Sequence, residues 1–396
     1  MTNVEQGSGI GRGESTGTSS SRVESSTFEW TNTFRIQESP PHAVGQSFVS
    51  ITTGFNPGSL GVYPNGDRYI EDRGFSYLRP DGSVIAGVVD GVGETYVGQE
   101  TRRFYRYGDR DLCLGDIPGR ILVDTLREAQ LDSESAIRAA LGVASERYGA
   151  WLSGHGLDEY AASQKHLIGG CTFALAVHLQ DGSVLLVSGG DAVCVAIMPN
   201  GDRIGTRNQL PEVNQALEPS KRYLYETFGP KDGRALFNAM WKEAQRNQFT
   251  NGDGDFVVVN GAEIIERFRR EAARLSLSNT LLEESIPNLS VPERIAPYAF
   301  FDGDRRVSRA AQVLRIEGTP TKVLMVTDGC FNSSLADPVA DIAATLSAAG
   351  VEGLLRRNES KDGTGGGPEA TAVVVAFDSA DRLHQLAYPS VKDGHR

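Results

Sequence analysis

Cysteine is scarce: the 396 residues carry four. Cys113, Cys171, Cys194 and Cys330 are spaced too widely for a CxxC metal knuckle and sit mostly inside apolar runs. That argues against a disulfide scaffold and for buried, reduced thiols in a cytoplasmic protein. Long apolar runs are missing as well. No stretch approaches the ~20 residues that span a bilayer, so no membrane partner is expected. The first residues lack the basic and apolar regions of a secretory signal. Residues 1–28, rich in Gly, Ser and Thr, are expected to be a disordered tail. Basic charge is in deficit, with 39 Lys and Arg against 51 Asp and Glu and a net charge of −12. Such a chain repels polyanions, and no lysine and arginine stripe interleaves with aromatics, so nucleic acid is a poor partner. Composition leaves the oligomeric state unknown.

What is present is an ordinary globular composition, 39% hydrophobic and 23% charged, on a chain long enough to bury a core. Residues 29–390 are read as one domain. Short strands and turns run from about residue 30 to 110, with a hairpin signal at Asp81-Gly82. Two stretches at helical spacing follow, "DIPGRILVDTLREAQ" and "DSESAIRAALGVASERYGAWLSG", the second capped by Asp132 or Ser133. Residues 171–206 read as a meander of three short strands. Residues 207–300 mix helical patterns with loops and read as an insertion or flap without a separate core. Then come the strand "KVLMVTDGC", the helix "PVADIAATLSAAGVEGLLRR" and the closing strands "EATAVVVAF" and "HQLAYP".

One theme recurs: an apolar strand that ends in an aspartate beside glycine. "VIAGVVDGVGE" delivers Asp90, "VSGGDAV" Asp191 and "KVLMVTDGC" Asp328, while Glu71 and Asp72 in "YIEDRG" immediately precede a strand. Carboxylates converging from distant strand ends are the oxygen donors that hard divalent cations require. The Gly91 carbonyl is a further candidate, because a residue without a side chain lets the backbone approach closely. His178, in a strand, and His166 read as structural or surface groups, with no catalytic role assigned.

The order of these pieces resembles the metal-dependent serine/threonine protein phosphatases of type 2C over roughly residues 60–380. "RYIEDRGFSY" is similar to that family's opening Arg and Glu-Asp motif, "VVDGVGE" to its Asp-Gly turn, and "GGCTFALAVHL" to its Gly-Ser/Thr-Thr strand. "VSGGDAVCVAI" and "VLMVTDGCFN" are similar to its two later aspartate strands. The resemblance implies an α+β fold, a four-layer α-β-β-α sandwich of two antiparallel sheets flanked by helices. It implies hydrolysis of phosphoserine and phosphothreonine on a phosphorylated protein substrate by a metal-activated water, with two Mn or Mg ions and a third, weaker site. Asp90 would bridge the two metals, with Gly91 and Glu71 on one side and Asp328 on the other. Asp191 would serve the third site, and Arg68 the substrate phosphate. The sequence departs from the pattern in places. Pro368 stands where the family's last aspartate belongs, leaving Glu369 or Asp362 to replace it, Asn332 replaces an acid, and Val92 occupies a position where some members carry a histidine. These departures motivate the alternative of a pseudophosphatase, the same fold kept as a binding or regulatory module.

Overall fold

The computed structural model describes residues 25–27, 35–39, 41–44, 47–56, 71–79, 82–92, 104–108, 110–157, 168–246, 249–250, 257–258, 260–357 and 369–379. Arg68, His166, Asp362, Pro368 and the strand expected at "HQLAYP" lie outside them.

Along the chain come β1 (Ser25–Thr27), β2 (Arg35–Glu38), β3 (His42–Val44), β4 (Ser47–Asn56), β5 (Arg73–Leu78), β6 (Val84–Val92), β7 (Phe104–Tyr107) and β8 (Arg110–Cys113). Helices α1 (Asp116–Glu128) and α2 (Glu134–Gly154) follow, then β9 (Gly170–His178), β10 (Val184–Gly189), β11 (Val193–Ile197) and β12 (Arg203–Gly205). Next are α3 (Leu210–Arg246), β13 (Phe249–Thr250), β14 (Val257–Val258), α4 (Gly261–Arg274), α5 (Asn279–Ser285) and β15 (Arg294–Ile295). The described chain closes with α6 (Val307–Ala310), β16 (Gln312–Ile316), β17 (Lys322–Val326), α7 (Val339–Leu355) and β18 (Ala370–Ser379).

Two antiparallel sheets carry the fold. The first is ordered β1-β5-β6-β9-β10-β16 and the second β12-β11-β17-β18-β4-β2, with β3 also on β4. Side chains alternate between the faces of a strand, and the sequences use both faces. On β6, Ile85 and Val89 pack towards α1 and α2 with Phe75, Leu122 and Leu141. Val84, Ala86 and Val88 meet Val323, Met325, Val373 and Val375 of the second sheet. Beyond that sheet, Val195, Leu324 and Val374 pack on Ile342, Leu346 and Leu354 around α7. The result is helices, sheet, sheet, helix, in four layers. Strands buried on both faces explain the near-continuous apolar runs.

Three expectations change. Residues 171–206 are not one meander: β9 and β10 pair in the first sheet and β11 and β12 in the second. The chain crosses between the sheets at Gly190, whose φ is +76, and Asp191 sits on that crossover. Residues 207–300 do have a core of their own, in which Val213, Leu217, Leu236, Met240, Ile264 and Phe268 are buried together. The proline-containing stretches concealed it, because Pro219 and Pro230 lie inside α3, which kinks at Gly229. Ordered pairing also starts inside the stretch read as tail, since Ser25–Thr27 pair with β5. The capping expectation resolves to Ser133, whose side chain accepts from the Ala136 N–H.

Candidate active site

Antiparallel pairing sets the end of one strand beside the start of the next, and this places the sequence-predicted acids at one end of both sheets. On the first sheet, Asp90 is paired with Thr172 and Gly91 with Cys171. The Gly91 N–H donates to the Glu71 carbonyl at 3.2 Å, which brings Glu71 and Asp72, just ahead of β5, beside the end of β6. On the second sheet, Val326 at the end of β17 is paired with Ala372 of β18, which sets Asp328 beside Glu369. Asp191 enters from the crossover between the sheets.

Alternation decides which way the side chains point. Asp90 keeps the parity of Val84, Ala86 and Val88, which face the second sheet. Thr172 likewise continues the face of Ala174 and Ala176, and Thr371 that of Val373 and Val375. The acid cluster is thus the polar end of the inter-sheet core. Its floor is sealed: Asp72, Glu369 and Glu71 are 2%, 5% and 8% exposed. Asp90, Asp191 and Asp328 retain partial exposure and form its open rim.

Two threonines and two backbone amides hold the floor. The Thr327 hydroxyl donates to Asp72 Oδ2 at 2.9 Å and accepts from the Thr371 N–H at 2.9 Å. Glu369 Oε2 accepts from the N–H groups of Glu71 and Asp72, at 3.0 and 2.9 Å. Glu369 thereby ties the start of β18 to the start of β5 across the two sheets. Its other oxygen, Oε1, is buried without a protein partner, as are the Thr172 and Thr371 hydroxyls. Gly91 is required for the close approach: a Cβ there would lie 2.3 Å from the Gly115 carbonyl oxygen and 2.7 Å from that of Glu71.

The electrostatics are those of crowded acids. Burial pushes the Asp72 carboxyl up to about 6, against the pull of the Thr327 hydrogen bond. Burial, followed by the charges of Asp72, Asp328 and Asp191, holds Asp90 well above the usual carboxylate range. Asp191 is raised by burial, and Glu369 by burial and then by Asp72. Among the described residues, no ion pair joins Asp72, Asp90, Asp191 or Glu369 to a basic side chain. Buried carboxylates without a basic partner are unfavourable at neutral pH, and a bound cation removes that cost. In donor chemistry, a hard divalent cation fits this set. Among the described residues, however, no three His, Cys, Asp or Glu side chains are grouped so as to hold one metal ion.

Sequence reasoning missed several partners. The Tyr298 hydroxyl donates to Asp191 Oδ1 at 3.3 Å. Gln209 Oε1 accepts from the N–H groups of Gly190 and Ala299. Three buried thiols also border the acids. Cys113 Sγ lies 3.9 Å from Glu71 Oε1, while burial and then Asp90 raise the Cys171 thiol, and burial and then Asp72 and Asp328 raise that of Cys330. The Asn332 side chain accepts from the Ser334 N–H and hydroxyl, closing its own turn.

No protein-family model matches the sequence, and no curated protein matches it. The chain is similar to solved structures of phosphatases. Serine-threonine phosphatase 2C from Toxoplasma gondii is 14% identical, covering 88% of this chain and 100% of that one, with a TM-score of 0.40. MsPP, a PPM Ser-Thr phosphatase from Mycobacterium smegmatis solved with cacodylate, is 14% identical over 82% of this chain and 97% of that one, TM-score 0.38. RsbX in complex with magnesium is 10% identical over 87% and 100%, TM-score 0.40.

Proposed function

We propose that this chain hydrolyses phosphoserine and phosphothreonine on proteins with the help of bound Mg or Mn. The observation that carries the reading is that Asp90, raised first by burial, is raised further by the charges of Asp72, Asp328 and Asp191, which arrive from three other stretches of the chain. The order of the aspartate motifs supports it. Asp90, the Gly91 carbonyl, Glu71 and Asp328 would hold the metal pair, with Asp191 at a third position and Glu369 Oε1 as a further donor. When bound, divalent cations lower the pKa of a coordinated water and neutralise charge on the phosphoryl oxygens.

The chain's own residues supply the setting. The apolar inter-sheet core closes the cluster from below, and Thr327, itself held by the Thr371 N–H, orders Asp72 within it. Glu369 fixes the backbone of Glu71 and Asp72 through Oε2, which sets their carboxylates relative to Asp90. The partial exposure of Asp90, Asp191 and Asp328 leaves room for a phosphate from outside, and Arg68 would meet that phosphate. We place the activity in the cytoplasm and in one domain, residues 29–390, that includes the 207–300 insertion.

A second reading, the binding or regulatory module, is favoured by one observation: Glu369 has an oxygen committed to two amides, and Pro368 offers no side-chain ligand. Turnover separates the two readings. The full chain, assayed on a phosphoserine or phosphothreonine peptide with manganese and with a chelator, is expected to release phosphate only with manganese. No release under either condition, from a folded chain, selects the module.

A further inference from the structure

The insertion and the acid cluster meet at one knot of hydrogen bonds. Gln209, the residue before α3, uses its backbone and side chain on three segments. Its N–H donates to the Gly190 carbonyl at 3.0 Å, and its Oε1 accepts from Gly190 N–H at 2.9 Å and Ala299 N–H at 2.8 Å. Its Nε2 donates to the Ala310 carbonyl at 3.0 Å. One amide therefore holds the crossover bearing Asp191, the segment returning from the insertion, and the turn before β16.

Tyr298 sits on that returning segment, 5% exposed. Its ring belongs to the insertion's core, edge-on to Trp241 at 5.7 Å and stacked on Phe300 at 6.3 Å, while its hydroxyl donates to Asp191 Oδ1. Gly190 makes the approach possible. With φ at +76, a Cβ there would stand 2.4 Å from Thr172 Cγ2 and 3.2 Å from Tyr298 Cζ, so a larger residue would push the phenol and the threonine away from Asp191.

We infer that Gln209 and Tyr298 are positioning residues that fix the Asp191 carboxylate, so that the fold of the 207–300 insertion sets the cation affinity of the acid cluster. The inference rests on the metal-dependent reading proposed above. A short carboxylate on a glycine-flanked crossover has two oxygens and free rotation about χ2. A hydrogen bond from a phenol anchored in a separate core selects one orientation of it.

The clamp and its consequence are tested separately on the full chain. In Gln209→Ala without metal, hydrogen exchange is expected to rise at the Gly190 and Ala299 amides and to stay unchanged across α7; unchanged protection at both amides overturns the clamp. Tyr298→Phe keeps the ring and removes one hydrogen bond. It is expected to weaken manganese binding measured by calorimetry about fivefold, the equivalent of one hydrogen bond, while the retained ring contacts with Trp241 and Phe300 leave the circular dichroism of the metal-free chain unchanged. Unaltered manganese affinity in Tyr298→Phe, while Asp191→Asn does weaken binding, overturns the positioning role and leaves the metal-dependent reading intact. If the unsubstituted chain binds no manganese, that reading fails and the inference falls with it, whereas the exchange result still reports on the clamp.

Discussion

Replacing Asp72 with asparagine keeps the shape of a buried side chain and removes its charge. Its carboxyl stands at about 6 in the folded chain against 3.8 ordinarily, a difference equivalent to about 3 kcal/mol at about 1.4 kcal/mol per pH unit. The sign follows from proton binding. A folded-state value raised above the unfolded one means that the folded chain holds a proton the unfolded chain has released. The contribution is therefore fully favourable below pH 3.8, declines as pH rises through 6, and is lost above it. Without metal, Asp72→Asn should exceed the unsubstituted chain in stability by about 1 kcal/mol at pH 4.5 and by about 3 kcal/mol at pH 7.5. Urea denaturation in the presence of a chelator at both pH values measures this. Comparing variant with parent cancels the titration of groups elsewhere. Saturating manganese should shrink or reverse the advantage, because the cation then offsets the charge that asparagine lacks. An advantage that is the same at both pH values, or absent at pH 7.5, refutes the account of Asp72 as a buried carboxylate raised by its surroundings.

Two further outcomes follow from the same structure. In Glu369→Gln the amide oxygen still accepts from Glu71 and Asp72, while the unpartnered Oε1 becomes a donor. The metal-free melting temperature should hold or rise and manganese affinity fall about tenfold, or about 1.4 kcal/mol; unchanged affinity in calorimetry confines Glu369 to its backbone contacts. His178 lies in the inter-sheet core against Phe377, with both ring nitrogens buried and unpartnered, and burial lowers its pKa from 6.5. His178→Leu should stabilise the chain by about 1–2 kcal/mol at pH 7. The gain should widen below pH 6.5, where the unfolded histidine binds a proton that the folded ring resists; a gain that narrows on acidification contradicts this.

Much of the site was legible because a strand that ends in Asp-Gly states its own boundary and its own side-chain direction. Asp90 and Asp328 each follow an apolar run whose period puts the acid at its tip. Asp72 was harder, since Glu-Asp before a strand looks the same whether it faces solvent or core; only the register of β5 on β6 gives it the inter-sheet face. Gln209 and Tyr298 carry no local signal at all. Tyr298 reaches Asp191 across 107 residues and Gln209 reaches Ala299 across 90, and their roles exist only once the insertion has folded. The insertion's core was hidden for a local reason. Pro219 and Pro230 read as breaks, yet α3 absorbs them, with a kink at Gly229.

Equilibrium binding of manganese to the full chain and to Asp90→Asn tests the central claim most directly. The account predicts saturable manganese binding by the unsubstituted chain, and its loss in a variant whose circular dichroism is unchanged. The absence of binding at millimolar manganese, or equal binding by Asp90→Asn, would contradict it.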